Sequence, residues 1–156
     1  MNFNEYFEYK NGELFWKITS SNRAIKNKKA GYKRKDNYCF LRFNKKTYGI
    51  HQVVFAMHHG YIPKEIDHID ANPSNNFIEN LREATRSQNA LNQPLTIKNS
   101  SGIKGVSWHK SAKKWVVQLT VNGKAKYFGT YFDIEVAKFI AETMRHKYHG
   151  NYANHG

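Results

Sequence analysis

The chain is poor in cysteine, acid and long apolar runs. Its one cysteine, Cys39, excludes a disulfide framework and any cysteine-ligated zinc centre, so a metal here would have to be held by nitrogen and oxygen. No segment approaches the ~18 consecutive apolar residues of a membrane-spanning helix. Residues 1–9 are acidic and aromatic where a secretory leader would be basic and then apolar. These absences predict a soluble, intracellular protein with no membrane partner. What is present is enough to fold: 40% of the 156 residues are hydrophobic and 15% aromatic, too many for a disordered basic tail. The length suits one ordinary domain or two to three small ones.

Acidic residues number 12 against 25 lysines and arginines, for a formal charge of +13. The surplus is uneven: residues 1–50, 51–97 and 98–156 carry net charges of +8, −2 and +7. Self-repulsion of this size destabilises a compact chain, and the usual reason to carry it is a polyanionic partner. The basic residues are interleaved with Tyr, Trp, Thr and Gln in strand-like segments, with no basic amphipathic helix of the kind that lies on lipid, so the predicted partner is nucleic acid.

Three segments follow, without internal repeats. In residues 1–50, Glu13–Ile18 and Tyr38–Phe43 read as strands, and Asn44-Lys45 turns the second into Thr47–Ile50 as a hairpin. Between them lies a polar, mobile stretch with Lys28, Lys29, Lys33, Arg34 and Lys35, read as a phosphate-contacting loop. Residues 51–93 begin with a helix, His51–His59, closed by Gly60 and Pro63. A short strand, Ile66–Asp70, a turn-rich loop, Asn72–Asn76, and a second strand, Ile78–Arg82, come next. Thr85-Arg86-Ser87-Gln88 matches a capping box, so a helix starts at Arg86 with Asn89 near its first turn. Residues 94–100 are the expected linker. Residues 101–156 contain strands Gly105–His109, Lys114–Val121 and Lys126–Phe132, with Asn122-Gly123 as a hairpin turn. A helix from Asp133 then presents Ile134, Ala137, Ile140, Ala141 and Met144 on one stripe. Gln118 and Thr120 alternate with the buried set and face outward.

The chemistry concentrates at Asp67 and His68. Adjacent residues on a regular strand point to opposite faces, so a distortion at the strand end is expected if both serve one site. A hard divalent cation is satisfied by one carboxylate, one amide oxygen and phosphate oxygens, and Asp67 with Asn89 can supply the two protein oxygens. Phosphodiester hydrolysis also needs a base, and a neutral imidazole with an ordinary pKa of about 6.5, His68, suits neutral pH.

Taken together, His51–Phe55, Gly60–Pro63, Ile66–Asp70, Asn76–Arg82 and Ala84–Asn89 resemble the HNH endonuclease family, most closely its homing-type phage and intron-encoded branch. The resemblance implies an α+β fold with a small ββα-metal core. It implies His68 as general base, Asp67 and Asn89 as ligands of a divalent metal ion (Mg²⁺, with Mn²⁺ as the alternative), and Asn80 as the middle Asn of the motif. His51 occupies the family's upstream His position, read as supporting. Asn80 can donate and accept at once and so fix the loop that bears His68.

The third segment resembles the plant Apetala/ethylene-response DNA-binding domain through Lys104–Trp108, Lys114-Trp115, Tyr127–Asp133 and Glu135–Ala137. That resemblance implies a three-stranded antiparallel sheet packed on one helix that reads double-stranded DNA. Lys104, Ser107, Gln118, Thr120 and Tyr127 fall near groove-contacting positions, and His109, Lys110, Lys113, Lys124 and Lys126 are candidate phosphate neighbours. Ser107 and Thr120 stand where the plant domains carry guanine-reading arginines, so their target sequence does not transfer. The resulting expectation is a metal-dependent DNA endonuclease, cytoplasmic in a bacterial host if phage-encoded, acting as monomer or homodimer. The competing readings are a DNA-binding regulator with a decayed nuclease core and a structure-specific or RNA-directed nuclease.

Overall fold

The computed structural model describes residues 2–97 and 99–155; Met1, Gly156 and Lys98, the last within the expected linker, lie outside the described residues. It is a mixed α/β chain with four small antiparallel sheets and three α-helices among the described residues, none of them long and apolar enough to cross a membrane. The chain divides into two compact units, Met1–Thr85 and Arg86–Gly156.

The first unit opens with strands β1 (Phe7–Lys10) and β2 (Glu13–Trp16), paired with Phe7 opposite Trp16. Asn11 and Gly12 join them with φ of 50° and 78°, the left-handed pair a two-residue hairpin requires. Only β2 is expected from the sequence reading; the Asn11-Gly12 dipeptide is the signal for its partner. Strands β3 (Tyr32–Lys33), β4 (Cys39–Phe43) and β5 (Lys46–Gly49) form a second sheet in that order. Asn44 and Lys45 turn β4 into β5 at φ of 47° and 62°. The stretch expected to be mobile is partly tied down: the Lys28 carbonyl accepts from the Trp16 amide at 3.0 Å, and the Ala30 amide donates to the Leu14 carbonyl at 2.7 Å.

Helix α1 (Ile50–His59) starts directly after β5, its entry secured by Gln52 Oε1 accepting from the Gly49 amide at 2.9 Å. It ends at Gly60, whose φ of 83° suits a left-handed cap. Strands β6 (Ile66–His68) and β7 (Leu81–Glu83) pair antiparallel. The second of these is shorter than the expected Ile78–Arg82. Ile78–Asn80 is instead a 3-10 turn, because the Asn80 amide closes on the Phe77 carbonyl at 2.9 Å while its side chain binds the preceding loop. One core joins Phe3, Phe7, Leu14, Trp16 and Phe43 to Val53, Val54, Phe55 and Leu81. The expected division at residue 50 is therefore not a packing boundary, since side chains from both sides of it fill the same interior.

The second unit begins with α2 (Arg86–Asn92), which starts where the capping signal predicts. Strands β8 (Val106–His109), β9 (Lys114–Val121) and β10 (Lys124–Tyr131) form an antiparallel sheet with β9 central. Asn122 and Gly123 make the turn at φ of 51° and 75°. Helix α3 (Ile134–His149) is capped by Asp133, whose carboxylate accepts from the Glu135 amide at 2.7 Å. Its Ala137 and Ala141 are fully buried with Val106 and Val117. Small residues on the helix allow close approach to the sheet, at the expense of apolar area. Polar bonds complete the interior. Arg145, 3% exposed, donates to the Lys104 carbonyl and meets His155 Nδ1 at 3.2 Å. Lys104 Nζ donates to the carbonyls of Leu91 at 3.3 Å, Asn154 at 3.1 Å, and Gln93.

Candidate functional site

Strand β6 brings Asp67 and His68 into the interior of the first unit, 2% and 5% exposed. Ile66, Asp67 and His68 pair in register with Glu83, Arg82 and Leu81, and the strand ends at His68 in a turn that the Ala71 amide closes on the His68 carbonyl at 2.8 Å. The Asp67 charge acts both on the His68 imidazole and on Tyr38, whose ring meets it. Asp67 faces Arg82 across the ladder, and its Oδ2 accepts from Arg82 Nε at 2.7 Å and Nη2 at 2.6 Å. Arg82 was not expected at the site. Its signal was an arginine in the second strand of the pair, but which residue it opposes depends on a register set by the twelve-residue connection between them.

His68 lies among rings and an amide. Its Nε2 is 3.4 Å from Asn76 Oδ1, and Asn76, 3% exposed, is oriented by donating through Nδ2 to the Ser74 carbonyl at 3.2 Å. With Oδ1 as acceptor, Nε2 is the nitrogen that donates. The His51 ring lies 5.3 Å away, centroid to centroid, and Tyr38 stands edge-on to both imidazoles at 5.8 and 5.9 Å. Burial pushes the His68 pKa below its ordinary value, opposed by the Asn76 bond and the Asp70 and Asp67 charges. Burial, with the neighbouring His68, lowers His51 to about 4. Both imidazoles are therefore neutral at pH 7. His51 is placed by its neighbour Gly49: a Cβ there would lie 2.4 Å from His51 Cε1, so the ring occupies space that only glycine leaves. His51 Nδ1 is buried without a partner among the described residues.

The loop after His68 is locked by Asn80. Its Oδ1 accepts from the Asp70 amide at 3.0 Å, while Nδ2 donates to Asp70 Oδ1 at 2.9 Å and to the Asn75 carbonyl at 2.8 Å. Asp70 also accepts from the Asn72 amide and Asn75 Nδ2. Burial would raise its pKa, but these bonds outweigh that and lower it. Ala71 follows at φ of 58°, a conformation rarely taken by a residue with a Cβ, where the over-bonded loop holds it.

Asp67 offers carboxylate oxygen, and no group of three or more His, Cys, Asp or Glu gathers as a cage among the described residues. An ion completed by water and phosphate oxygens needs no such cage. Asn89 belongs to α2, in the second unit.

The expected DNA-contacting residues fall into three groups. Lys28, Lys29, Lys33, Arg34 and Lys35 are exposed on the first unit, with Lys29 paired to Glu13 and Arg34 3.4 Å from Asp36. On the second, register puts Ser107, His109, Gln118, Thr120 and Tyr127 on the sheet face away from α3, all exposed, with Lys110 and Lys113 exposed at the β8–β9 turn. Lys124 and Lys126 fall on the other face: Lys126 pairs with Leu119, and its Nζ donates to Tyr148 at 2.9 Å. Lys104, read as groove-contacting, has its ammonium engaged with three backbone carbonyls of its own unit, and burial lowers its pKa.

Comparison with known proteins adds two findings. A family model described as HNH endonuclease matches residues 48–91. Protein 3.8 of Escherichia phage T7 is 39% identical over 105 residues, covering 66% of this chain and 86% of that protein. No solved structure matches.

Proposed function

The chain belongs to the family of phage T7 Protein 3.8 and carries an HNH endonuclease domain at residues 48–91, and from that premise we propose that it is a metal-dependent endonuclease of double-stranded DNA, of the homing type. The observation that carries this reading is the buried, neutral His68, its tautomer set by Asn76 and its loop held by Asn80. A neutral imidazole is equipped to take a proton from an attacking water at neutral pH. Asp67 would offer a carboxylate oxygen to a divalent cation, Mg²⁺ or Mn²⁺, which when bound supplies positive charge for the departing 3′ oxygen; Asn89, the second ligand that the resemblance implies, belongs to the other unit. Arg82 holds the Asp67 carboxylate in one orientation from the side. His51 and Tyr38 wall the His68 ring and restrict its rotation.

The charge distribution supports a division of labour. The segment containing the HNH match carries little positive charge, and the flanking basic segments supply affinity for the phosphate backbone. In the second unit, the face bearing Ser107, Gln118, Thr120 and Tyr127 would enter the groove, as in the Apetala-type domains it resembles, with His109, Lys110 and Lys113 meeting phosphates.

Cleavage of end-labelled duplex DNA in Mg²⁺ tests the assignment. His68→Ala should lower the rate about 10²- to 10⁴-fold, the usual contribution of a general base. Equal cleavage by wild type and variant would remove His68 from the mechanism, and absence of metal-dependent cleavage by the wild type would favour a DNA-binding regulator.

A further inference from the structure

The outward face of the β3–β4–β5 sheet has no role in the reading above. Register places Tyr32 opposite Phe40 and Phe40 opposite Gly49, so these positions share one face, and Arg42 with Thr47 continues it. The alternate residues Leu41 and Phe43 point into the core. The outward face is therefore a row of rings rather than the polar surface a one-sided sheet usually presents to water. Tyr32 is 55% exposed and lies 6.5 Å from Phe40, with Tyr38 6.5 Å beyond it. The Arg34 guanidinium stands over Phe40 at 4.8 Å. The row ends at the candidate active site, since Tyr38 meets both imidazoles and the His51 ring lies over Gly49 of the same sheet.

Beside the β3 edge, a cavity of about 230 Å³ is lined by Tyr32, Leu14, Cys39 and Ile50 together with polar groups of Glu13 and Ser74. Arg34, Lys35 and Arg42 lie along the row and carry positive charge, with Asp36 3.4 Å from Arg34 and the charges of Asp67 and Glu65 acting at the Tyr38 end. Aromatic faces framed by arginine and lysine fit unstacked bases on a phosphate backbone. Bases in an intact duplex keep their faces stacked on one another and offer none to such a surface.

We propose that this face is a base-stacking platform for unpaired nucleotides of the strand being cut, next to the scissile phosphate. The inference rests on the nuclease reading and narrows its substrate to duplex DNA with an adjoining single-stranded or opened segment. Binding can be tested without cleavage, by fluorescence anisotropy of the full chain in EDTA. Three DNAs are compared: a blunt duplex, the same duplex with a single-stranded extension, and the duplex with an extension of equal length built of abasic units. The base-bearing extension should bind at least about fivefold more tightly than the abasic one, because stacking and not charge distinguishes them. Tyr32→Leu combined with Phe40→Leu should bring that ratio to about one, whereas Tyr32→Phe should retain it. Equal binding of the two extensions by the wild type overturns the proposal, as does a ratio that survives the double leucine variant. Cleavage of the same DNAs by wild type and His68→Ala reports separately on the nuclease itself.

Discussion

The first unit buries the rings of Phe3, Phe7, Trp16, Phe43 and Phe55, whereas the second fully buries only Val106, Val117, Leu119, Ala137 and Ala141 and leaves the rings of Trp115, Phe128 and Tyr131 half-buried against them. Each large apolar side chain withdrawn from water contributes roughly 1.5–3 kcal/mol. The first unit can therefore carry the desolvation cost of Asp67, His68 and Asn76. The second holds itself together with less apolar area, and Lys104 and Arg145 bind the carbonyls that tie its segments. A rich apolar core lets polar groups be kept for chemistry, while a poor one enlists them for structure. That contrast explains why a lysine expected at the DNA turned up bonded within its own unit.

Breaking the polar pair inside the rich core should have the largest effect. Arg82→Ala leaves the 2%-exposed Asp67 without its cross-strand cation and should cost about 3–5 kcal/mol, read as a lower urea midpoint. A midpoint unchanged by the substitution would mean that the pair is not what holds the two strands. Acid acts on the same unit through His51. Its folded pKa of about 4 lies below the ordinary value of about 6.5, so the unfolded chain takes up a proton first as pH falls. The contribution is complete above pH 6.5 and fades down to about pH 4, by up to about 3 kcal/mol. Urea melts across that window should show the loss in the wild type and a flatter profile in His51→Phe.

In the poorer core, Lys104→Met keeps the length of the side chain but removes its donors, leaving carbonyls to find water. We expect a loss of about 2 kcal/mol, seen by hydrogen exchange as faster opening of α2 and α3 with the first unit's amides little changed. Protection unchanged in both helices would contradict the clamp. The smallest effect belongs to the exposed turn. Lys110→Ala with Lys113→Ala should leave melting unaltered and reduce the slope of log affinity against log salt for duplex DNA by about two. An unchanged slope would place these lysines away from phosphate.

Much of this architecture is legible in the sequence because it is local. The hairpin at Asn122-Gly123, the helix entry at Arg86 and the stripe Ala137, Ile140, Ala141 each depend on neighbours within a few positions. Asn80 enters through the resemblance, as the middle Asn of the motif, and its amide bonds Asp70 and Asn75 in the loop after His68. What escaped was register. Nothing local says that Arg82 stands opposite Asp67, or that Lys126 shares a face with Leu119 and so turns toward Tyr148. Asn76 escaped for a related reason, since an asparagine in a turn-rich run looks like any other until the tertiary fold puts His68 beside it.

Gly49 illustrates how a neighbour can restrict the alphabet at a position. Its φ of −67° and ψ of 142° would accept almost any amino acid, so flexibility is not why glycine stands there. The imidazole two places along occupies the volume where even an alanine methyl would go. Residue 49 is thereby coupled to residue 51: enlarging the first demands relocation of the second.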